Sequence, residues 1–208
     1  MTRVFDRASP ALILLLALAV GLFSLRYLAP DVPLAAPNVM TNRFAPQALI
    51  LHAGLGATAL ILGPLQFIRR RDGRRAAWHR VTGVAYMAAC LVSAPAGLVL
   101  ALGVSTGPVA GIGFGGLAVV WFWTTANGLR SVLARRYAGH GRWMVRSFAL
   151  TFAAVTLRLY LPLAAFLPVD GEDAYRAISY LCWIPNLLVA ELLLRTRFSS
   201  RLPAVAGR

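Results

Sequence analysis

The feature that most constrains this chain is a series of six apolar runs, each long enough to form a membrane-spanning helix. A helix needs about 20 mostly apolar residues to cross the hydrocarbon core of a bilayer. The runs that meet this length are residues 11–29, 45–67, 81–102, 109–129, 143–167 and 175–194. The connections between them are too short to hold a soluble domain. We therefore predict a single transmembrane domain over residues 1–208.

The amino-acid composition excludes the possibility that these six runs form the core of a water-soluble domain. Hydrophobic residues make up 59% of the 208 residues, and charged residues make up only 13%. A soluble domain carries about 25% charged residues, and a chain of this length cannot hide so much apolar surface from water. The predicted fold class is therefore all-α, a polytopic membrane bundle of six transmembrane helices surrounded by lipid.

The arginines are distributed unevenly and predict the orientation of the bundle. All 21 basic residues are arginine. Both termini and the connections after the second and fourth runs are rich in arginine, whereas the other three connections hold only Arg43 and Arg176 beside four carboxylates. Basic connections stay on the cytoplasmic side, so we predict a bacterial inner-membrane protein with both termini in the cytoplasm (N-in/C-in). The arginines are expected to contact anionic lipid headgroups rather than nucleic acid.

A second pattern is a repeat with an offset of 61 residues, in which an amide, three arginines and a histidine recur at the same spacing. The first copy consists of Gln66, Arg69, Arg74, Arg75 and His79, and the second of Asn127, Arg130, Arg135, Arg136 and His140. The repeat predicts that the hairpin of helices two and three is duplicated as helices four and five, in the same orientation. Chance alignment of arginine-rich connections is the alternative.

The repeat gives a hypothesis for a cofactor. Two histidines from facing helices at matching depth are a common ligand pair for haem in membrane bundles. Duplication would place His79 and His140 at equivalent depths near the cytoplasmic face, where a b-type haem would serve electron transfer. We expect no metal beyond such a haem iron. The alternative is that both histidines are interfacial residues that bond lipid phosphates or loop carbonyls.

Three polar residues in the outer halves of the spans form a second candidate site. His52, Arg158 and Asn186 are expected at similar depth, and an arginine there is costly unless it faces the bundle interior. Pro185 leaves the carbonyl of Leu181 without its helical donor, which makes that carbonyl a candidate acceptor for Arg158. The trio predicts an outward polar pocket of a small-molecule transporter, suited to an anionic or hydrogen-bonding ligand. Tight helix packing is the alternative.

The remaining ionisable pair within the spans is Arg146 and Glu191, which lie at comparable depth and are predicted to form a structural ion pair. No arrangement of nucleophile, base and acid is readable, so no catalytic residues are assigned. A non-catalytic accessory subunit of a larger membrane complex is therefore a third hypothesis, beside the haem protein and the transporter.

Three stretches of the sequence carry a resemblance to a known family. They are HAGLGATALILGPLQF, the connection ending in WHRVTGVAYM, and HGRWMVRSFALTFAAVTLR. They resemble a prokaryotic membrane-protein family catalogued as domain of unknown function 2306, over residues 45–195, helices two to six. By this resemblance the motif positions are His52, Gln66, His79, Arg80, His140, Trp143, Met144, Arg146 and Arg158. The family brings no established activity, so the resemblance implies a membrane protein and leaves the function open.

Overall fold

The computed structural model describes residues 2–29, 42, 44, 47–68 and 78–199, with the backbone alone for residues 2–9 and 197–199. Several residues used in the orientation argument lie outside these ranges, namely Asp31, Arg43, the arginines of segment 69–75, Arg201 and Arg208.

The regular elements in the described ranges are helices, with no strand among them. They are α1 (Thr2–Ser24), the 3-10 helix Leu25–Leu28 that follows it directly, α2 (Gln47–Leu65), α3 (His79–Leu102), α4 (Pro108–Leu133), α5 (Tyr137–Thr151), α6 (Ala153–Ala164), α7 (Gly171–Leu181) and α8 (Ile184–Ser199). The all-α class is therefore confirmed.

Among the described residues, six stretches are long and apolar enough to cross a membrane, which confirms the predicted number of spans. They are Pro10–Leu28, Gln47–Leu65, His79–Leu102, Pro108–Leu133, Tyr137–Ala164 and Gly171–Thr196. The fifth span consists of α5 and α6, and the sixth consists of α7 and α8. The fifth begins six residues before the predicted run (137 against 143) because its polar first turns remain helical. The sixth begins early because Asp170 caps α7, its side chain accepting from the backbone N–H groups of Glu172 and Asp173.

Neighbouring spans pack as antiparallel hairpins. The series α2, α3, α4 and α5 forms the centre of the bundle, α1 packs mainly on α2, α7 packs on α4 and α6, and α8 packs on α5. Because six spans alternate in direction, α1 begins and α8 ends at the same end. We call this end, which also holds the connections α2–α3 and α4–α5, the arginine-rich end, and the opposite end the arginine-poor end.

The fifth and sixth spans are both interrupted. The fifth breaks at Phe152, where the N–H of Val155 bonds the Phe152 carbonyl at 2.9 Å, one residue closer in the chain than in an α-helix. The sixth breaks at Cys182 and Trp183. The following Pro185 cannot donate to a carbonyl one turn back, which explains the second break. These two interruptions lie beside the site described below.

The proposed duplication is not reflected in the contacts of its amide positions. Gln66 Nε2 donates to Thr82 Oγ1 on the next helix at 2.8 Å. Asn127 Nδ2 donates to the Trp123 carbonyl, within its own helix, at 2.8 Å. The duplicated hairpin therefore stays a prediction from the sequence spacing.

Candidate functional site

A cavity of about 480 Å³ lies in the arginine-poor half of the bundle, lined by residues of all six spans. Its volume falls in the range of small-molecule sites. The polar groups of the lining belong to Ser24, Arg26, Tyr27, Asn42, His52, Trp121, Thr151, Arg158, Tyr175 and Cys182. The rest of the lining is apolar, and no described lining residue is an aspartate or a glutamate. The cavity thus combines apolar walls with fixed positive charge.

His52 is held in one orientation on the cavity wall. Its Nδ1 lies 3.0 Å from the Ser93 carbonyl and 3.2 Å from Ser93 Oγ, and Ser93 Oγ donates to the His52 carbonyl at 3.0 Å. Because a carbonyl only accepts, this contact assigns the proton to Nδ1. Nε2 has no hydrogen-bond partner among the residues that the structure describes. The imidazole therefore offers Nε2 to a ligand.

Two neighbours fix the position of the His52 ring. It meets the Trp121 ring edge-on, with the ring centres 6.5 Å apart. On α3, a Cβ added to Gly97 would lie 2.8 Å from His52 Nδ1. Only glycine at this position leaves room for the ring.

Arg158 lines the same cavity, as the sequence predicts, but its partners differ from the predicted one. Its Nη1 donates to the Ala154 carbonyl at 3.0 Å, and its Nη2 donates to Ser24 Oγ at 2.9 Å. The expected acceptor, the Leu181 carbonyl, is not used, because the side chain extends towards α1 rather than α7. Within the described ranges no carboxylate pairs with Arg158. Both Nη atoms thus donate a hydrogen bond, while no carboxylate of the described ranges balances the charge.

Arg26 is a cavity residue that the sequence analysis assigned to no site. Its Nη2 donates to Tyr27 Oη at 3.1 Å, and its guanidinium carbon lies 3.7 Å from the centre of the Phe23 ring. Its Nε and Nη1 are buried and have no hydrogen-bond partner in the described part of the chain. The available signal was an arginine inside an apolar run, although sequence alone does not tell a cavity from the membrane interface.

Asn186, the third predicted member of the cluster, does not line the cavity. Its Nδ2 donates to Thr156 Oγ1 at 2.9 Å, to the Cys182 carbonyl at 3.1 Å and to the Ala149 carbonyl at 3.3 Å. Ala149 and Thr156 lie on the two sides of the break in the fifth span, and Cys182 lies at the break in the sixth. Asn186 therefore joins the two interrupted spans, while His52 and Arg158 share the cavity.

A buried hydroxyl network closes the cavity on the side of the arginine-rich end. Tyr86 Oη lies 2.9 Å from Thr151 Oγ1 and 3.0 Å from Ser147 Oγ, Thr125 Oγ1 lies 2.8 Å from Ser147 Oγ, and Trp121 Nε1 donates to Thr151 Oγ1 at 3.0 Å. All five side chains are buried. Since Trp121 and Thr151 also line the cavity, we call these five residues the polar floor. The sequence shows the small polar residues but not their convergence.

The predicted pair Arg146 and Glu191 lies outside the cavity and links α5 to α8. Arg146 donates to both carboxylate oxygens of Glu191, with Nη2 to Oε2 at 2.8 Å. The Arg146 guanidinium also lies 4.9 Å from the centre of the Trp143 ring. The pair stands where a structural role predicts it, on a partly exposed surface.

His79 and His140, the candidate haem ligands, line neither this cavity nor a smaller one of about 180 Å³ between α6 and α7. His140 Nδ1 lies 2.9 Å from the Gly128 carbonyl on α4. In the described ranges no group of three or more His, Cys, Asp or Glu side chains is arranged to hold a metal ion. A haem in either described cavity would therefore not have these two histidines as ligands. The haem hypothesis gains no support.

Comparisons with known proteins place the chain in a family without assigning it a function. No curated protein and no solved structure matches it. The family model described as "Predicted membrane protein (DUF2306)" matches residues 49–194, well over half of the chain. The matched segment includes His52 and Arg158 and leaves out Arg26. The chain belongs to the DUF2306 family of predicted membrane proteins.

Proposed function

We propose that this protein is a transporter that binds a small molecule in the cavity at the arginine-poor end. The observation that carries the proposal is the pairing of His52 and Arg158 on the wall of a cavity of about 480 Å³. An ionised side chain within a membrane span is costly and marks a ligand pathway more often than a packing site. Here Arg158 has no carboxylate partner in the described ranges, so a ligand group is the expected counterpart.

The interrupted spans support transport rather than binding alone. Transporters commonly build their substrate sites from broken helices, because a break lets one part of a span move against another. Thr151 and Cys182 are lining residues that stand at the breaks of the fifth and sixth spans. Movement at these breaks would change the shape of the cavity directly.

Each element of the site has a role in this proposal. The Nε2 atom of His52 can accept a hydrogen bond from a ligand that carries a donor, and Arg158 supplies charge. The polar floor separates the cavity from the arginine-rich end, so transport requires its hydrogen bonds to exchange partners. Asn186 couples the movement of the two interrupted spans through its bonds to Thr156 and to the Ala149 carbonyl.

Flux into sealed vesicles tests the proposal with a pair of adjacent substitutions on α4. Ala118 lines the cavity and is buried, whereas Val119 is 54% exposed and faces away from it. A panel of radiolabelled ten-carbon carboxylates, alcohols and amines serves as substrate. We expect at least one member to cross faster than in protein-free vesicles, and Ala118→Phe to abolish that flux while Val119→Phe preserves it. Equal flux in the two variants, or no member that crosses faster than in protein-free vesicles, contradicts the proposal.

The orientation of the bundle is part of the proposal. The arginine-rich end faces the cytoplasm of the inner membrane and meets anionic headgroups there, so the cavity opens to the outer side. Cysteines introduced by Asp72→Cys and Ser105→Cys test this with a membrane-impermeant thiol reagent, since native Cys90 and Cys182 are buried. Labelling of Ser105→Cys alone in intact cells is expected. Labelling of Asp72→Cys alone would reverse the orientation.

The two other hypotheses from the sequence have less support. Haem binding for electron transfer would use His79 and His140, and neither lines a described cavity. An accessory subunit would co-purify with a larger complex, and no contact in the described ranges favours that role over the transporter.

A further inference from the structure

The charged residues in the described lining of the cavity are all positive. Arg26 and Arg158 both contribute to its lining, and the described lining contains no carboxylate. The ion pairs found among the described residues join Arg146 to Glu191 and Arg176 to Glu172 and Asp173, all away from the cavity. Two guanidinium groups without a counter-charge in a medium of low dielectric constant are stabilised when an anion enters.

Arg26 has unused hydrogen-bonding capacity. Nearly all buried polar groups of native proteins have a partner, yet Nε and Nη1 of Arg26 have none in the described part of the chain. Arg158, by contrast, uses both Nη atoms on Ala154 and Ser24. Arg26 is therefore the stronger candidate for direct hydrogen bonds to a ligand, and Arg158 contributes charge.

The apolar walls of the cavity favour a ligand that also has an apolar part. Its larger apolar lining residues include Leu49, Leu60, Leu100, Leu117, Leu157 and Leu161. A small inorganic anion leaves these walls without a partner, and a neutral lipid leaves the two arginines without one. Each methylene placed against such walls strengthens binding up to about fourfold.

We infer that the ligand is an amphipathic anion, with a carboxylate or phosphate group at Arg26 and Arg158 and an alkyl or similar apolar body against the leucine walls. This inference rests on the proposed function, because it assigns a ligand class to the same cavity. It adds Arg26 as the residue that selects the anionic group. Arg26 lies outside the segment that the family model matches.

Direct binding in nanodiscs of phosphatidylcholine tests the inference without requiring transport. The radiolabelled probes are decanoate, decyl phosphate, decan-1-ol and acetate, with empty discs subtracted. We expect decanoate and decyl phosphate to bind at least about tenfold more tightly than decan-1-ol, as a charge-assisted hydrogen bond contributes. Acetate, which lacks the chain, should bind at least about 100-fold more weakly than decanoate.

Arg26→Gln and Arg176→Gln form a matched pair of variants. Both remove one arginine at the arginine-poor end, but Arg176 pairs with carboxylates and does not line the cavity. Arg26→Gln should weaken decanoate about tenfold and leave decan-1-ol unchanged, and Arg176→Gln should change neither. Arg26→Lys keeps the charge and should restore most of the affinity. An unchanged thermal unfolding midpoint shows that Arg26→Gln remains folded.

The outcomes separate this inference from the proposed function. Equal losses of decanoate and decan-1-ol in Arg26→Gln, or equal behaviour of Arg26→Gln and Arg176→Gln, would overturn the ligand class. Decanoate binding without flux would overturn transport and leave the ligand class standing. If no probe binds to the folded wild-type protein, both fail together.

Discussion

Polar groups lie on both sides of Trp121, and the two sides differ in how fully those groups are paired. In the polar floor, the hydroxyls of Tyr86, Ser147 and Thr151 are mutually bonded and fully buried. In the cavity, His52 Nε2 makes no hydrogen bond to a described residue, and two buried nitrogens of Arg26 have no partner in the described part of the chain. A satisfied buried network rigidifies a bundle, whereas donors and acceptors left open on a cavity wall mark a binding surface. We therefore expect changes in the polar floor to act mainly on stability and changes in the cavity to act on the binding of the proposed ligand.

The largest effect is expected from Arg158→Ala. The substitution removes the whole side chain and a charge that no described carboxylate balances, so the affinity for decanoate should fall at least about tenfold, as for Arg26→Gln, without a lower thermal unfolding midpoint. Arg176→Ala is the control, since it removes an arginine that pairs with Glu172 and Asp173. Binding measured in nanodiscs decides the matter. Unchanged decanoate affinity in Arg158→Ala would contradict the assignment of ligand binding to the cavity.

Asn186→Ala should separate movement from binding. It deletes the side chain that bonds Thr156 Oγ1 and the Ala149 carbonyl across the interrupted spans. Vesicle flux is expected to fall about tenfold, while decanoate affinity in nanodiscs changes less than about threefold. Asn127→Ala is the control, because Asn127 bonds only within its own helix. A variant with full flux would show that the coupling between the two spans is unimportant.

Gly97→Ala tests whether the orientation of the His52 ring matters. The new methyl would lie 2.8 Å from His52 Nδ1, so the ring, which lines the cavity, must shift and change the shape of the wall, and decanoate affinity should fall about fivefold. At the control position Gly116, a methyl meets Trp183 at an ordinary distance of 3.6 Å. Gly116→Ala should preserve affinity and stabilise α4 by about 0.5–1 kcal/mol. Equal affinities in the two variants would argue against a role for the ring.

Tyr86→Phe examines the other side of the comparison. Removing the hydroxyl leaves Ser147 and Thr151 with fewer partners, so the free energy of unfolding should fall by about 1–2 kcal/mol. Decanoate affinity should change less than about threefold. Tyr137→Phe, at an exposed position of α5, should alter neither quantity. A large loss of affinity with unchanged stability would mean that the polar floor itself binds the ligand.

The smallest effect is expected from Glu191→Gln. Glutamine has nearly the size of glutamate and keeps an acceptor oxygen for the Arg146 guanidinium. Neither decanoate affinity nor vesicle flux should change, since both residues lie outside the cavity. A loss of flux in a variant whose thermal unfolding midpoint is unchanged would assign the pair a part in transport.

The six spans could be predicted from the sequence because hydropathy is a local property. A run of about 20 apolar residues leaves the chain few alternatives in a bilayer. The ends were less certain, since Tyr137 and Gly171 begin their spans in polar sequence that remains helical. The break at Phe152 has no local signal such as a proline, and it became visible only with its neighbours in place.

The site was predicted in part, because depth along a span can be read from sequence and direction around it cannot. His52 and Arg158 line the same cavity, whereas Asn186, which was predicted at their depth, bonds Thr156 and does not line the cavity. The same limit applies to His79 and His140, for which matching depth did not bring a shared cavity. Arg26 was missed because an arginine near the end of a span reads equally well as an interfacial residue.

The most direct measurement is photo-crosslinking with a decanoate that carries a diazirine in its chain, followed by mass spectrometry of the labelled protein. Trp121 lines the cavity, and Trp123, two residues further along α4, is 60% exposed on the outer surface of the bundle. We predict labelling at Trp121 and the neighbouring Leu117, reduced by excess unlabelled decanoate and lost in Ala118→Phe. Labelling confined to Trp123 and other exposed positions would show that the probe meets the protein only from the lipid, and would contradict the cavity as its site.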